Sequence, residues 1–452
     1  MPSVRAWIVI GVALRAALLC LSVPIELQSD EAHYAWLGLG WERFGYLTDS
    51  QRFLWPPAYP FLHKLGFQLF EERGVDAVRY LQISASIATG WGTAALAQRL
   101  ISARAAKLAV ALWALHLPLA AFCSLGWPDS LFIALLLPGL VLLHDGASAM
   151  DQRKLVAAGL LLGVSALFKE IGLALALLSA VWLAAHLHKT CKENATPASL
   201  AFVFALFLPL APWAARNLEH YGAPILSGKT LGENLYHGWN AHDHNFDVLP
   251  AARAQGPEAR PDTSSISAFK ADAAGSWPRP GGATLVERDS AKSSRGLEWA
   301  AAHPLDWART RVSKAAHMLA PVSFPVRNIA LGNYGGALGG GLLGRSFLLL
   351  ATLQSIILIV FGAAALARNT PRHAVFWIPT CALLAQPLLV GMSRLRIPLT
   401  PFFIIAIAGA LTTAGSAASR TRGRIAVAAV CLLVLVDHRP ILWLLQRAWG
   451  ET

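Results

Sequence analysis

Charge is scarce in this 452-residue sequence: only 14% of residues are Asp, Glu, Lys or Arg, against about 25% in soluble globular chains. With 55% hydrophobic residues and a mean hydropathy of +0.48, that scarcity excludes an ordinary soluble domain. Cysteine is also sparse. Cys20, Cys123, Cys191, Cys381 and Cys431 are scattered, none lies in 216–340, and there is no CxxC. A disulfide framework and a cysteine zinc site are therefore unsupported. No convincing small-residue cleavage site follows the apolar run 7–23, so it reads as a retained transmembrane helix rather than a secretory signal. Internal repeats of the kind that build paired transporter halves are missing as well.

Long apolar runs recur from end to end, which makes the chain a polytopic all-α membrane protein. Candidate spans are 7–26, 78–98, 108–124, 129–144, 155–168, 171–187, 198–215, 342–366, 374–391, 397–414 and 425–445. Eleven spans result if 155–168 and 171–187 are two short helices with Lys169 and Glu170 at the turn, and ten if they are one. The formal net charge of +12 is explained by basic cytoplasmic loops rather than by a nucleic-acid partner. With the N-terminus inside, the inner loops hold Arg99, Arg104 and Lys107; Arg153 and Lys154; Lys189 and Lys192; Arg368 and Arg372; and Arg420, Arg422 and Arg424. That matches the positive-inside rule.

The opposite face then receives 27–77, 125–128, 169–170, 216–341 and 392–396. Three parts follow: an N-terminal membrane module 1–215 with outer loop 27–77, a large outer loop 216–341, and C-terminal helices 342–452. In the first outer loop, Tyr34, Leu37 and Trp41 share a helical face and suggest an amphipathic interfacial helix. In the large loop, 251–290 is rich in small residues, Gly and Pro and reads as a mobile insertion.

Unusual polar groups gather on that outer face: Asp30 with Glu31, Lys169 with Glu170, Arg216 with Asn217, and Arg394 with Arg396. Ionisable residues at span ends are functional candidates; a snorkelling side chain is the plain alternative for each cation. A carboxylate among cations suits a sugar carried on a lipid phosphate. Arg or Lys would hold the phosphate and stabilise its departure, while the carboxylate takes a proton from an incoming hydroxyl.

The same residues carry a resemblance. "DEAHY" at Asp30 to Tyr34, "PPAYP" at Pro56 to Pro60, "GLLLGVSALFKE" at Gly159 to Glu170, "PWAARN" from Pro212 and "SRLRIPLTPFF" from Ser393 occur in an order that resembles polytopic GT-C glycosyltransferases. The branch in question is the bacterial one related to dolichyl-phosphate-mannose–protein mannosyltransferases and the lipid A aminoarabinose transferase. The family's late "RYR" stands here as "RLR", with Leu395 in place of the aromatic. The resemblance implies a GT-C-like helix bundle in the bacterial inner membrane, with the N-terminus in the cytoplasm. It also implies inverting transfer from a polyprenyl-phosphate sugar to a lipid, glycan or protein acceptor outside.

On that reading Asp30 is the base, with Glu31 as its alternate or support. Arg394, Arg396 and Lys169 hold the donor phosphate. Tyr34 and Trp55 frame the sugar, and His33 contacts substrate or is structural. Glu170 partners Lys169, and Arg216 and Asn217 brace the loop. No cofactor is expected. A divalent metal is left open by His237, His242, His244, Asp243 and Asp247, which lack a regular ligand spacing. The competing classes are a transporter or flippase, or a polymerase or ligase, of lipid-linked glycans.

Overall fold

A computed structural model of the chain describes residues 2–22, 27, 30–44, 54–232, 234–235, 285–330, 336–368, 371–413 and 417–436. The fold is an all-α polytopic membrane bundle with outer loops. The N-terminal part comprises α1 Val4–Leu21, α2 Asp30–Phe44, α3 Ala58–Phe70, α4 Gly74–Leu100, α5 Ala103–Leu115, α6 Leu117–Phe122, α7 Asp129–Ala149, α8 Gln152–Ala166, α9 Glu170–Thr190, α10 Lys192–Phe207 and α11 Ala211–Tyr221. The C-terminal part comprises α12 Leu285–Ala302, α13 Pro304–Met318, α14 Phe324–Ala330, α15 Gly341–Ala367, α16 Ala374–Leu384, α17 Thr400–Thr412 and α18 Ala417–Val436, with 3-10 segments Gln386–Leu388 and Ser393–Leu399. Among the described residues the only β-pairing is an isolated antiparallel bridge between Leu54 and Lys229.

Eleven spans were expected. Among the described residues, five helices are long and apolar enough to cross a membrane: α1, α7, α9, α15 and Ser393–Thr412. A sixth appears if Ala195–Phe207 and Ala211–Tyr221, bent by 55°, form one broken span. The expected span 425–445 runs past residue 436 and lies partly outside the described residues; the other candidates fall short for physical reasons. The run 108–124 breaks at His116, whose Nδ1 caps α6 by accepting from Leu119 N–H at 3.2 Å. Helix α8 has 15 residues and α16 has 11. Helix α4 is long, but its buried face carries the polar stripe Arg79, Gln82, Ser86, Thr89 and Thr93. The turn at Lys169 does separate two helices, α8 and α9, as the two-helix reading expects.

The "GLLLG" element has a packing role. A Cβ on Gly163 would lie 2.2 Å from Leu206 O, and one on Gly159 would lie 2.4 Å from Phe202 O. Small residues four apart let α10 press its backbone onto α8.

The first outer loop departs from expectation. Helix α2 forms, but Tyr34, Ala35, Trp36 and Leu37 are all buried, so it is covered nearly all round rather than lying amphipathically on a surface. Helix α3 covers it closely. A Cβ on Gly38 would meet His63 Cβ at 2.6 Å. The apolar outer surface belongs instead to α3, through exposed Phe61, Leu69 and Phe70. The expected insertion 251–290 lies outside the described residues up to 284. From 285 it is helical, with Leu285 and Asp289 buried in α12.

Candidate functional site

Asp30 and Glu31 occupy the first turn of α2, where the helix dipole favours negative charge. Successive helical residues point about 100° apart, and the two carboxylates diverge accordingly. Glu31 turns inward, is fully buried, accepts from Gly126 N–H and lies 3.8 Å from Arg79 Nη2. Asp30 remains 26% exposed and pairs with Arg394 Nη1.

Arg394 is the hub. It lies in the 3-10 segment before α17. Its Nε donates to Asp129 Oδ2 at 3.2 Å, and its guanidinium sits 4.2 Å above the Trp127 ring. Asp129 begins α7, is fully buried, and receives Lys169 Nζ on Oδ1 at 2.6 Å. Four elements far apart in sequence thus meet at one end of the bundle: the start of α2, the start of α7, the α8–α9 turn and the Ser393–Leu399 segment. Two carboxylates and two cations balance in charge, as burial requires. Burial pulls the Lys169 ammonium below its ordinary value, while Asp129 opposes that shift.

Aromatic rings close one flank. Tyr34 packs against Trp55 at 4.8 Å and edge-on against Tyr59 at 5.0 Å. Burial raises its hydroxyl well above the ordinary value, while the charge of Arg394 opposes that shift. Trp55 is placed by Leu54, whose backbone exchanges two hydrogen bonds with Lys229.

Other expected site residues go elsewhere. In a 3-10 segment, residues two apart face different sides. Arg396 accordingly turns away from Arg394 and donates to Met318 O at 3.1 Å and Ala320 O at 2.7 Å, the carbonyl end of α13. Lys169 and Glu170 do not pair. Glu170 accepts from Thr230 Oγ1 and abuts Gly228, anchoring the outer-loop segment. Arg216 lies over Trp213 and Tyr221 and donates to Asn217 Oδ1 at 2.9 Å. Asn217 in turn donates to Ile225 O at 2.8 Å, so this pair braces the exit from α11. His33 is exposed on α2.

Sequence reasoning missed Asp129, Trp127, Arg79, Gln82 and Tyr59. Asp129 was findable: it is an acid opening an apolar run on the face that the sequence reading assigns as outer, the same signal that selected Asp30. The proposed metal candidates His237, His242, His244, Asp243 and Asp247 lie outside the described residues. Among the described residues, no group of three or more His, Cys, Asp or Glu is arranged to hold a metal ion.

Known proteins offer partial likenesses. A family described as dolichyl-phosphate-mannose-protein mannosyltransferase matches residues 55–213, a minority of the chain. No curated protein matches the sequence. Among solved structures, the archaeal oligosaccharyltransferase AglB of Archaeoglobus fulgidus, in complex with an inhibitory peptide and a dolichol-phosphate, is similar with a TM-score of 0.47 and 15% identity. That alignment covers 99% of this chain but 56% of the archaeal one, so this chain spans little more than half its length. ArnT of Cupriavidus metallidurans bound to undecaprenyl phosphate is similar with a TM-score of 0.35 and 16% identity, over 89% of this chain and 77% of that one. The family match takes in Trp127, Asp129 and Lys169, while Asp30 and Arg394 lie beyond its two ends.

Proposed function

We propose that the chain transfers a sugar from a polyprenyl-phosphate-linked donor to an acceptor hydroxyl at the outer membrane face. The observation carrying this reading is the convergence of Arg394 and Lys169 with Asp30 and Asp129 at one end of an apolar bundle. Cations held at membrane depth suit a lipid phosphate, and one partly exposed carboxylate among them suits a base. The family match over 55–213 supports the same class of reaction.

The geometry suggests an exchange. Asp30 is engaged by Arg394 in an ion pair. Asp129 is fully buried and held by both cations, so it stays in place. An incoming phosphate competes for the more exposed contact, Arg394 Nη1, and releases Asp30. The freed carboxylate takes the proton from the acceptor hydroxyl. That oxygen forms the new bond to the anomeric carbon as the bond from carbon to phosphate oxygen breaks. The electron pair leaves with the lipid phosphate, and Arg394 and Lys169 stabilise its charge. One displacement assisted by one carboxylate inverts the anomeric centre. Glu31 is committed to Gly126 and Arg79 and has no part in bond making.

A transporter reading would need free polar groups at membrane depth. Several buried helix hydroxyls close onto their own backbone: Ser86 onto Ile83 O, Thr93 onto Thr89 O, Ser165 onto Leu162 O and Thr380 onto Phe376 O, while Thr352 in α15 has no hydrogen-bond partner among the described residues. Arg15, which sequence reading passed over, lies within α1 but is fixed by Gly11 O at 2.8 Å and the Trp113 ring at 4.1 Å. The test is incubation of purified protein with a panel of labelled polyprenyl-phosphate sugars and extracted acceptors. Sugar transfer with release of lipid phosphate supports the proposal; absence of transfer from every donor rejects it.

A further inference from the structure

Gln82 lies on the buried polar stripe of α4, one turn beyond Arg79, and is fully buried. Its Oε1 accepts from the Tyr59 hydroxyl at 2.9 Å. Its Nε2 donates to Cys123 O at 3.1 Å and Leu125 O at 2.6 Å. Both amide hydrogens and the amide oxygen are therefore used, and a flipped amide would set oxygen against two carbonyls.

The carbonyls it holds belong to the tight turn after α6. Within that turn Trp127 N–H donates to Leu125 O at 2.9 Å. Gly126 N–H is gripped from the other side by Glu31. The chain then presents the Trp127 ring beneath Arg394 and passes through Pro128 into Asp129. On its other side, Gln82 fixes Tyr59, whose ring meets Tyr34 edge-on. One side-chain amide thus joins the aromatic flank of the site to the turn that carries its buried carboxylate.

We infer that Gln82 is a positioning residue for the phosphate-binding cations, fixing Trp127 and Asp129 and through them the Arg394 guanidinium. It touches no reacting atom, and the inference rests on the transfer reaction proposed above. The test uses the full chain in detergent with Gln82→Met, Gln82→Glu and Asp30→Asn variants. A sugar-free polyprenyl phosphate serves as a competitive probe of the phosphate site. Gln82→Met should raise the donor KM and the inhibition constant of the lipid phosphate about tenfold, the scale of one lost hydrogen bond, and leave the acceptor KM unchanged. Gln82→Glu keeps the shape and the acceptor for Tyr59, but only its protonated carboxyl can donate to a turn carbonyl. Its donor affinity should therefore fall as pH rises, along a limb absent from the wild type and from Gln82→Met.

A folded Gln82→Met variant with wild-type donor KM and inhibition constant overturns the inference. So does a Gln82→Glu pH profile that superimposes on that of Gln82→Met. If Asp30→Asn is crippled while Gln82→Met is normal, only the positioning role falls. If Asp30→Asn turns over normally, only the base assignment falls and the positioning role is still decided by Gln82→Met; if the wild type transfers sugar from no donor, the transfer reading falls and takes this inference with it.

Discussion

Asp30 and Arg394, 364 residues apart in sequence, meet as an ion pair at the mouth of the bundle. The pairing makes the proposed base and the proposed phosphate ligand each other's partner until a substrate separates them. Asp30→Asn should lower turnover roughly 10²–10⁴-fold, the scale of general acid–base assistance, while donor binding is retained. Glu31→Gln should behave differently. It weakens a buried bond to Gly126 and the contact with Arg79, so it should cost about 1–3 kcal/mol of stability with a smaller loss of turnover. Initial rates alongside thermal unfolding of both variants separate the two roles. A dead Glu31→Gln variant beside a normal Asp30→Asn variant would reverse the assignment.

The exchange at Arg394 implies an order of binding. Donor should bind first, because only phosphate frees Asp30 for the acceptor. Initial-rate kinetics with an acceptor analogue lacking the reacting hydroxyl as a dead-end inhibitor should show competition against acceptor and an uncompetitive pattern against donor. Arg394→Lys should raise the donor KM, since an ammonium cannot reproduce the guanidinium fork over Trp127. Random order with an unchanged donor KM in that variant counts against the exchange.

Arg396 provides the contrast. Its guanidinium serves the carbonyls of Met318 and Ala320, and Arg311 reaches back from α13 to Pro387 O, Leu388 O and Leu389 O at 2.9–3.2 Å. Together they dock α13 onto two neighbouring stretches, the carbonyls at 387–389 and the Ser393–Leu399 segment that carries Arg394. Arg396→Ala should cost roughly 1–3 kcal/mol by leaving buried carbonyls unsatisfied. The donor KM of the folded fraction should stay near wild type. A large rise in donor KM without a loss of stability would return Arg396 to the phosphate site.

His63 should make the outer cap acid-sensitive. It is fully buried against Tyr59 at 4.9 Å, and neither ring nitrogen has a hydrogen-bond partner. Burial, reinforced by the charge of Arg79, pushes it down to about 3. The unfolded chain takes up this proton near pH 6.5 and the folded chain only near 3, so the unfolded state binds more protons between those values. Stability contributed by the neutral ring is present above about pH 6.5 and is lost as pH falls towards 3, by about 1.4 kcal/mol per unit. His63→Phe should remove that slope. The check is the difference in unfolding between wild type and variant across this window; parallel slopes contradict it.

Much of the candidate charge cluster was legible because membrane chains place few charges, and each one at a span end stands out. Asp30, Lys169 and Arg394, which meet in that cluster, were singled out by that rule. Asp129 obeyed the same rule and was passed over beside the more conspicuous Asp30–Glu31 pair. The direction of each side chain was not legible. Whether Arg394 or Arg396 faces the site depends on the 3-10 winding of a segment that contains Pro398, and no periodicity in the sequence marks it. Gln82 and Tyr59 were hidden for another reason: an amide within an apolar run and a phenol in an aromatic-rich outer loop look ordinary until their partners come from other elements. Burial of α2 escaped for the same cause, because its cover is α3 and not the membrane.

The central claim is single-displacement transfer with Asp30 as base. Its most direct test is the anomeric configuration of the sugar in the product, determined by NMR for wild type and Asp30→Asn with the donor that proves active. The account predicts inversion relative to the polyprenyl-phosphate donor in wild type, with the rate of formation of that product falling at least about 10²-fold in the variant. Retention of configuration, or an inverted product formed at the wild-type rate without the Asp30 carboxylate, would contradict it.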